Sequence, residues 1–221
     1  MRRWPIAGVI ALLVLVPASA ALAAFVQHAT IALTAARAGQ STGIRANISS
    51  QSDPGQAPRA ARQLTVTFPS QTRFNLALKT KCTISDAQVA AGTSCPAASR
   101  IGTGMAAAKA YPLPQTFTGI VGAYVSGNTK MLLIASVKGQ KPLAIHVTVR
   151  RSQLIIAVPS PVVLGFRVVL TGLRLNVPKS GTGTRALITA GGCTKGTFTI
   201  KTHFAYADGG RLDITSGSAC H

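Results

Sequence analysis

The chain contains no glutamate, and only four of its 221 residues are acidic. Paired carboxylates, the usual means of general acid–base hydrolysis, therefore have only Asp53, Asp86, Asp208 and Asp213 to draw on. Three of these have a local reason to be there: Asp53 precedes Pro54 in a polar stretch, Asp86 opens a helix pattern, and Asp208 precedes two glycines in a turn. Asp213 falls on the outward side of an alternating stretch. Aromatic residues are 5% of the chain, with a single Trp. That is too few to build base-stacking platforms among the cations, so nucleic acid is not expected as a partner. His28, His146, His203 and His221 form no H-E-x-x-H and no pair at metal spacing. No Cys lies in a C-x2-C pair, which disfavours a four-cysteine zinc site, and neither a metal nor another cofactor is expected. No G-x-S-x-G elbow or phosphate-binding glycine loop occurs. Gly102-Thr103-Gly104 comes nearest, but it follows a Cys-Pro turn rather than a strand pattern. No catalytic residue is assigned, and a hydrolase would have to centre on Asp213 or His146.

Long apolar runs are also missing after the first 23 residues, so the mature chain is expected to have no transmembrane segment. The beginning is different. Arg2 and Arg3 precede an apolar core over residues 6–16, and Pro17 ends it. Two small-residue patterns follow, Ala18-Ser19-Ala20 and Ala21-Leu22-Ala23. This is the order of a secretory signal peptide, with cleavage after Ala20 or Ala23. An uncleaved anchor is the alternative, but the core is shorter than the roughly 20 residues a span needs. No Cys follows the cleavage patterns, which argues against a lipoprotein anchor. The reading is a signal peptide over 1–23 and one extracytoplasmic domain over 24–221.

All four cysteines fall in that domain, as an exported protein with two disulfides would have them. Four cysteines allow three connectivities. Chain order favours Cys82–Cys95 and Cys193–Cys220, each closing a short segment. Such loops, of about 14 and 28 residues, would each add roughly 3–4 kcal/mol on the chain-entropy account.

Charge is the strongest compositional signal. There are 23 Lys and Arg, giving +19, and loss of Arg2 and Arg3 leaves about +17. A field of that sign attracts anionic wall polymers or acidic lipid head groups. Lys79, Lys81, Arg150 and Arg151, in two close pairs, are the positions read as anion contacts. The cations form no run of five or six, so a dispersed charge that only aids solubility is the competing reading.

Short apolar stretches recur every eight to twelve residues between Gly, Pro, Ser and Asn. Residues 63–68, 144–149, 172–177 and 196–204 alternate at period two, predicting strands with one buried face. Residues 131–137 and 154–158 are more continuously apolar and predict strands covered on both faces. Asp208-Gly209-Gly210 predicts a tight hairpin between 204–206 and 211–215. Residues 158–170 predict a central buried strand after a proline-rich corner, or else the lining of a groove for an apolar ligand. Ser85 to Gln88 is a capping-box pattern, and Gly92 stops the helix it opens. That helix, of two turns, would lie inside the Cys82–Cys95 loop. Residues 51–62 predict an exposed loop. About ten to twelve strands make the fold class all-β, an immunoglobulin-like or related two-sheet β-sandwich with one short helix inside a disulfide loop.

Around the cysteines, Lys81-Cys82-Thr83 follows an apolar segment from Pro69 to Asn75, and Cys95-Pro96 leads into Ser99-Arg-Ile101-Gly102-Thr-Gly104. Cys193-Thr-Lys-Gly196, Phe204-Ala-Tyr206-Ala-Asp208-Gly209 and Cys220 complete the layout. This arrangement resembles uncharacterised secreted β-rich proteins of actinobacteria. Those carry K-C-[ST] and C-P-x-x-S-x-[IV]-G-x-G, although Phe198 stands here where Trp is more frequent. The resemblance implies secretion and a sandwich-like fold, and it implies no activity. The expected function is a non-enzymatic extracellular or cell-envelope binding or structural protein, with carriage of an apolar ligand or lipid as the alternative.

Overall fold

The computed structural model describes residues 25–53, 59–111, 116–160, 162–163 and 166–221. The expected signal peptide lies outside them. In chain order the strands are β1 (Phe25–Leu33), β2 (Ile44–Ser52), β3 (Ala61–Thr67), β4 (Arg73–Phe74), β5 (Arg100–Tyr111), β6 (Thr116–Gly127) and β7 (Lys130–Ser136). They continue as β8 (Leu143–Arg150), β9 (Gln153–Ala157), β10 (Val162–Val163), β11 (Phe166–Val177), β12 (Ile188–Thr189), β13 (Thr197–Tyr206) and β14 (Arg211–Ala219). One short helix, α1 (Asp86–Ala90), interrupts them. The all-β expectation holds.

One continuous antiparallel ladder runs β1-β2-β11-β5-β6-β7-β8-β9-β3-β13-β14, with β10 paired onto β11. Strand direction alternates at every step, so with an odd number of strands on the path the first and last must point the same way. They do, and they meet. The Ser216 hydroxyl accepts from the Ile31 amide at 3.1 Å and donates to the Ile31 carbonyl at 3.0 Å. Two residues further along both strands, the Leu33 amide donates to the Ser218 hydroxyl at 3.2 Å. Serine side chains thus stand in for a parallel backbone ladder and close the sheet into a ring. Closure removes the free edges that would otherwise invite pairing with another chain.

Inside the ring, the inward positions of all the long strands form one core. Ile31, Val66, Val121, Leu133, Val147, Phe198 and Ile200 are each almost fully buried in it. Residues from β2 and β11 meet residues from β7, β8 and β9 across this core, which is the two-layer packing a sandwich requires. The outer wall alternates with the core, and on β3 and β13 it carries polar side chains, including Thr65, Thr199, Lys201 and His203. On these two strands the polarity is the reverse of a membrane-spanning barrel, where apolar residues face outward. Among the described residues no helix is long and apolar enough to cross a membrane.

Alternating direction also sorts the connections. One end of the ring, the plug end, receives the β1–β2, β3–β5, β6–β7, β8–β9 and β11–β13 segments. The other, the Arg59 end, receives the β2–β3, β5–β6, β7–β8, β9–β11 and β13–β14 segments. The plug end is sealed by β4 pairing with β12, with Phe68, Phe74, Leu76, Leu187 and Ile188 packed beneath. Hydroxyls hold this plug together. Fully buried Thr42 accepts from the Thr34 and Ala35 amides, and Thr72 accepts from the Gly191 amide while donating to the Pro69 carbonyl. Cys193–Cys220 ties the end of β14 back to the segment before β13.

The Cys82–Cys95 bridge is also present, and α1 lies within its loop. Ser85 and Gln88 form the reciprocal capping box. The helix has five residues, shorter than the two turns expected, because Gly92 at φ +84° turns the chain away. Val89 packs against Leu132, Tyr124, Ile134 and Ala144 on the outer face of the sheet. This satellite core is why β7 is covered on both faces. β9 is not, since Ile155 is only half-buried and Ala157 is exposed.

Other expectations change. Residues 158–170 are not one strand: β10 folds back antiparallel onto β11, which occupies the central position between β2 and β5. The 51–62 stretch is strand at both ends, since β2 runs to Ser52 and β3 starts at Ala61. Gly102 and Gly104 lie in strand β5, close against β11. A Cβ at Gly104 would fall 1.9 Å from the Arg174 carbonyl oxygen, so glycine is required there for the strands to approach.

Replacing Ser216 with Ala should lower unfolding stability by about 1–3 kcal/mol, the cost of orphaning backbone groups at the seam. The Ile31 amide should exchange faster with solvent in that variant. Urea unfolding and hydrogen exchange read both effects, and unchanged exchange at Ile31 would show that the seam closes by other means.

Candidate functional site

All four basic residues singled out in the sequence stand at the plug end. Lys79 follows the short helical turn Leu76–Leu78, whose Leu76 is buried in the plug. Lys81 donates from Nζ to the Leu76 carbonyl, which fixes its ammonium beside that turn. Arg150 ends β8 and Arg151 begins the two-residue turn into β9. Arg151 adopts φ +52°, a left-handed conformation that the tight turn demands and that holds its exposed side chain outward. The pairs share an end, but no hydrogen bond joins one to the other.

Other cations gather around them. Arg37, Arg45, Arg73, Arg100, Lys130, Lys179, Arg185 and Lys195 all sit at or just inside the plug end, and all are exposed. Arg174 and Lys201 lie midway along the wall. Fewer lie toward the other end, and these are Arg59, Arg62, Lys109, Lys138, Lys141, Arg167 and Arg211. The carboxylates are distributed in the opposite sense. Asp53, Asp208 and Asp213 lie toward the Arg59 end, and Asp86 sits midway along the wall against His146 at 2.9 Å. The field is therefore most positive over the plug.

At the opposite end, Arg59 forms a cluster that sequence reasoning missed. Its guanidinium donates twice to Asp208, from Nε to Oδ2 at 2.8 Å and from Nη2 to Oδ1 at 2.9 Å. It also lies 4.3 Å above the Tyr206 ring and 5.7 Å from the Phe25 ring. Phe25 meets Tyr206 edge-on, and Phe204 stacks on it. The Asp208 carboxyl is held below its usual range by the Arg59 hydrogen bond, helped by the Gly210 amide. Burial pushes the Tyr206 phenol up to about 12, with Arg59 opposing. Asp208 shows the expected turn role too, accepting from the Gly210 amide at 2.9 Å. Its partner lies 149 residues away in sequence, so no local pattern could have shown the pair.

Two voids adjoin inside the ring. One, of about 60 Å³, is walled entirely by apolar side chains toward the plug. The other, of about 40 Å³, reaches Gln27, Ser50 and Arg59. They share Ile48, Leu133, Ile156 and Leu173 in their walls. Both are far smaller than the roughly 300–1,000 Å³ typical of ligand sites.

The remaining polar chemistry lies on the wall. His203 Nδ1 meets Asp213 at 2.7 Å, and Thr65 is the register partner of His203 on the other side. This row lies on the outer wall of the ring, with His203 half-buried and Asp213 80% exposed. Among the described residues no group of three or more His, Cys, Asp or Glu is placed to hold a metal ion. No protein-family model matches the chain, and neither a curated protein nor a solved structure matches it.

The Tyr206 environment gives a direct titration. Because its folded pKa lies above the unfolded value near 10, the stability it contributes is full below pH 10 and is lost as pH rises toward 12. Absorbance of tyrosinate should show one of the three tyrosines ionising last, and Tyr206→Phe should remove that step. A Tyr206→Phe variant that keeps the late step would refute the assignment.

Proposed function

We propose that the chain is an exported, non-enzymatic protein of the cell envelope, held against anionic wall polymers by its plug end. The gathering of cations at that end, with the carboxylates elsewhere, is the observation that carries this reading. Two closed disulfides fit an oxidising compartment outside the cytoplasm. A flexible polyanion needs no cleft. It gains from many exposed cations on a rigid support, and strand ends and turns at the plug end carry them.

Exposed charges act through solvent and are screened over about 10 Å at 0.1 M salt. Retention on isolated wall fractions should therefore fall steeply as salt rises to about 0.5 M. The variant Lys79→Gln/Arg150→Gln/Arg151→Asn should elute at lower salt than a Lys138→Gln/Lys141→Gln control from the opposite end. Asparagine tolerates the left-handed position of Arg151. Retention that ignores salt, or that falls equally in both variants, would defeat the proposal.

The apolar lining of the adjoining voids favours a second reading, carriage of an apolar molecule, which would have to widen the ring to enter. Mass spectrometry of an organic extract of the folded protein tests it. A bound apolar compound in stoichiometric amount supports it, and a clean extract counts against it.

A further inference from the structure

Most large apolar side chains on the wall are covered, but Met105 on β5 and Ile120 on β6 stand out from it, with Tyr111 at their rim. Ile120 is 68% exposed, Met105 is 55% exposed and Tyr111 is 40% exposed. Among the described residues only Val26 and Leu78 join them as exposed large apolar side chains. Register puts the three on one face. Met105 is paired with Ile120 across β5–β6, and Tyr111 projects to the same side further along β5. Cations flank them: Arg174 is paired with Met105, Arg167 with Tyr111, and Lys109, whose partner is the buried Val169, lies between them on β5. No carboxylate stands on β2, β11, β5, β6 or β7.

We infer that this face docks on the surface of an anionic lipid bilayer, with Ile120 and Met105 entering the interface and Arg167, Arg174 and Lys109 meeting the head groups. Three physical arguments select that occupant. The face is cationic and free of carboxylates, so a second copy of the chain would meet repulsion. It is the outside of a closed sheet and hence convex, so it offers no pocket for the buried anchor residues of a protein partner. An interface that accepts protruding side chains suits it better. Finally, Tyr at the rim and long cations beside apolar residues are the side chains that settle at the boundary between head groups and hydrocarbon. This inference does not rest on polymer binding at the plug end, because the residues involved are different.

The test uses the mature protein and sedimented vesicles, either pure phosphatidylcholine or phosphatidylcholine mixed with phosphatidylglycerol, at 0.1 M salt. Wild-type protein should sediment with the anionic vesicles and far less with the neutral ones. Met105→Ser/Ile120→Ser should weaken that partition roughly tenfold or more, while circular dichroism and thermal unfolding stay unchanged because both side chains are exposed. Lys109→Gln/Arg174→Gln should weaken it and flatten its salt dependence. The plug-end variant should bind vesicles nearly as wild type does, and the double serine variant should bind wall polymer normally. Wild-type protein that ignores both vesicles overturns the inference, as does a serine variant with unaltered partition. Binding to polyglutamate that is lost in the serine variant, without any vesicle binding, would assign the face to an acidic protein and overturn it equally.

Discussion

Ser216 accepts from the Ile31 amide and donates to the Ile31 carbonyl, and this exchange lets a sheet with an odd number of alternating strands close on itself. Parity makes the seam parallel, whereas every other junction in the ring is antiparallel. Without closure, β1 and β14 would each present a row of unpaired backbone groups to solvent, and the core would open along that line. The Cys193–Cys220 bridge lies just beyond the seam. The amide of Cys220 donates to the Gly196 carbonyl, and that of His221 donates to the Ala36 carbonyl. Covalent and hydrogen-bonded ties thus converge where the ring is topologically weakest.

Hydroxyls do at the seam what they also do in the plug. A chain without glutamate, and with few aspartates, has few carboxylates to satisfy buried amides. Thr42, Thr72, Ser216 and Ser218 supply the acceptors instead. Neutral acceptors avoid the cost of burying a charge, and with four aspartates to 23 Lys and Arg most surface cations have no carboxylate to pair with. The acid-poor composition and the strongly positive exterior are thus two results of one compositional choice. The few aspartates are used for tethering, with Asp86 fastening α1 to β8 and Asp208 fastening Arg59 over the aromatic cluster.

Legibility in the sequence followed locality. The alternating stretches at 63–68, 144–149, 172–177 and 196–204 correspond to β3, β8, the second half of β11 and β13. The capping box, the Asp208 turn and the two cysteine pairs were readable because their partners are near in sequence. By contrast β5, with Gly102, Gly104 and the alanines at 106–108, has little intrinsic preference for strand. It becomes a long strand because glycine lets β11 approach closely on one side while β6 pairs on the other. Residues 158–170 misled for a related reason, since an apolar run does not say where the chain doubles back.

Of the candidate sites, Lys79, Lys81, Arg150 and Arg151 could be picked out as close pairs, but their common location could not. It follows from strand parity, which sends the β3–β5 and β8–β9 connections to the same end. The Arg59 cluster and the Met105–Ile120 face are long-range products of register, with no local signature. By itself the sequence determined the strand-rich class, the helix in its disulfide loop and the sign of the charge, because composition, capping and period-two alternation are local properties. Only the tertiary structure decided the closure of the ring, the end that gathers the cations and the apolar side chains that remain uncovered. Those depend on which strands become neighbours, and that is settled by burial and backbone pairing across the whole chain.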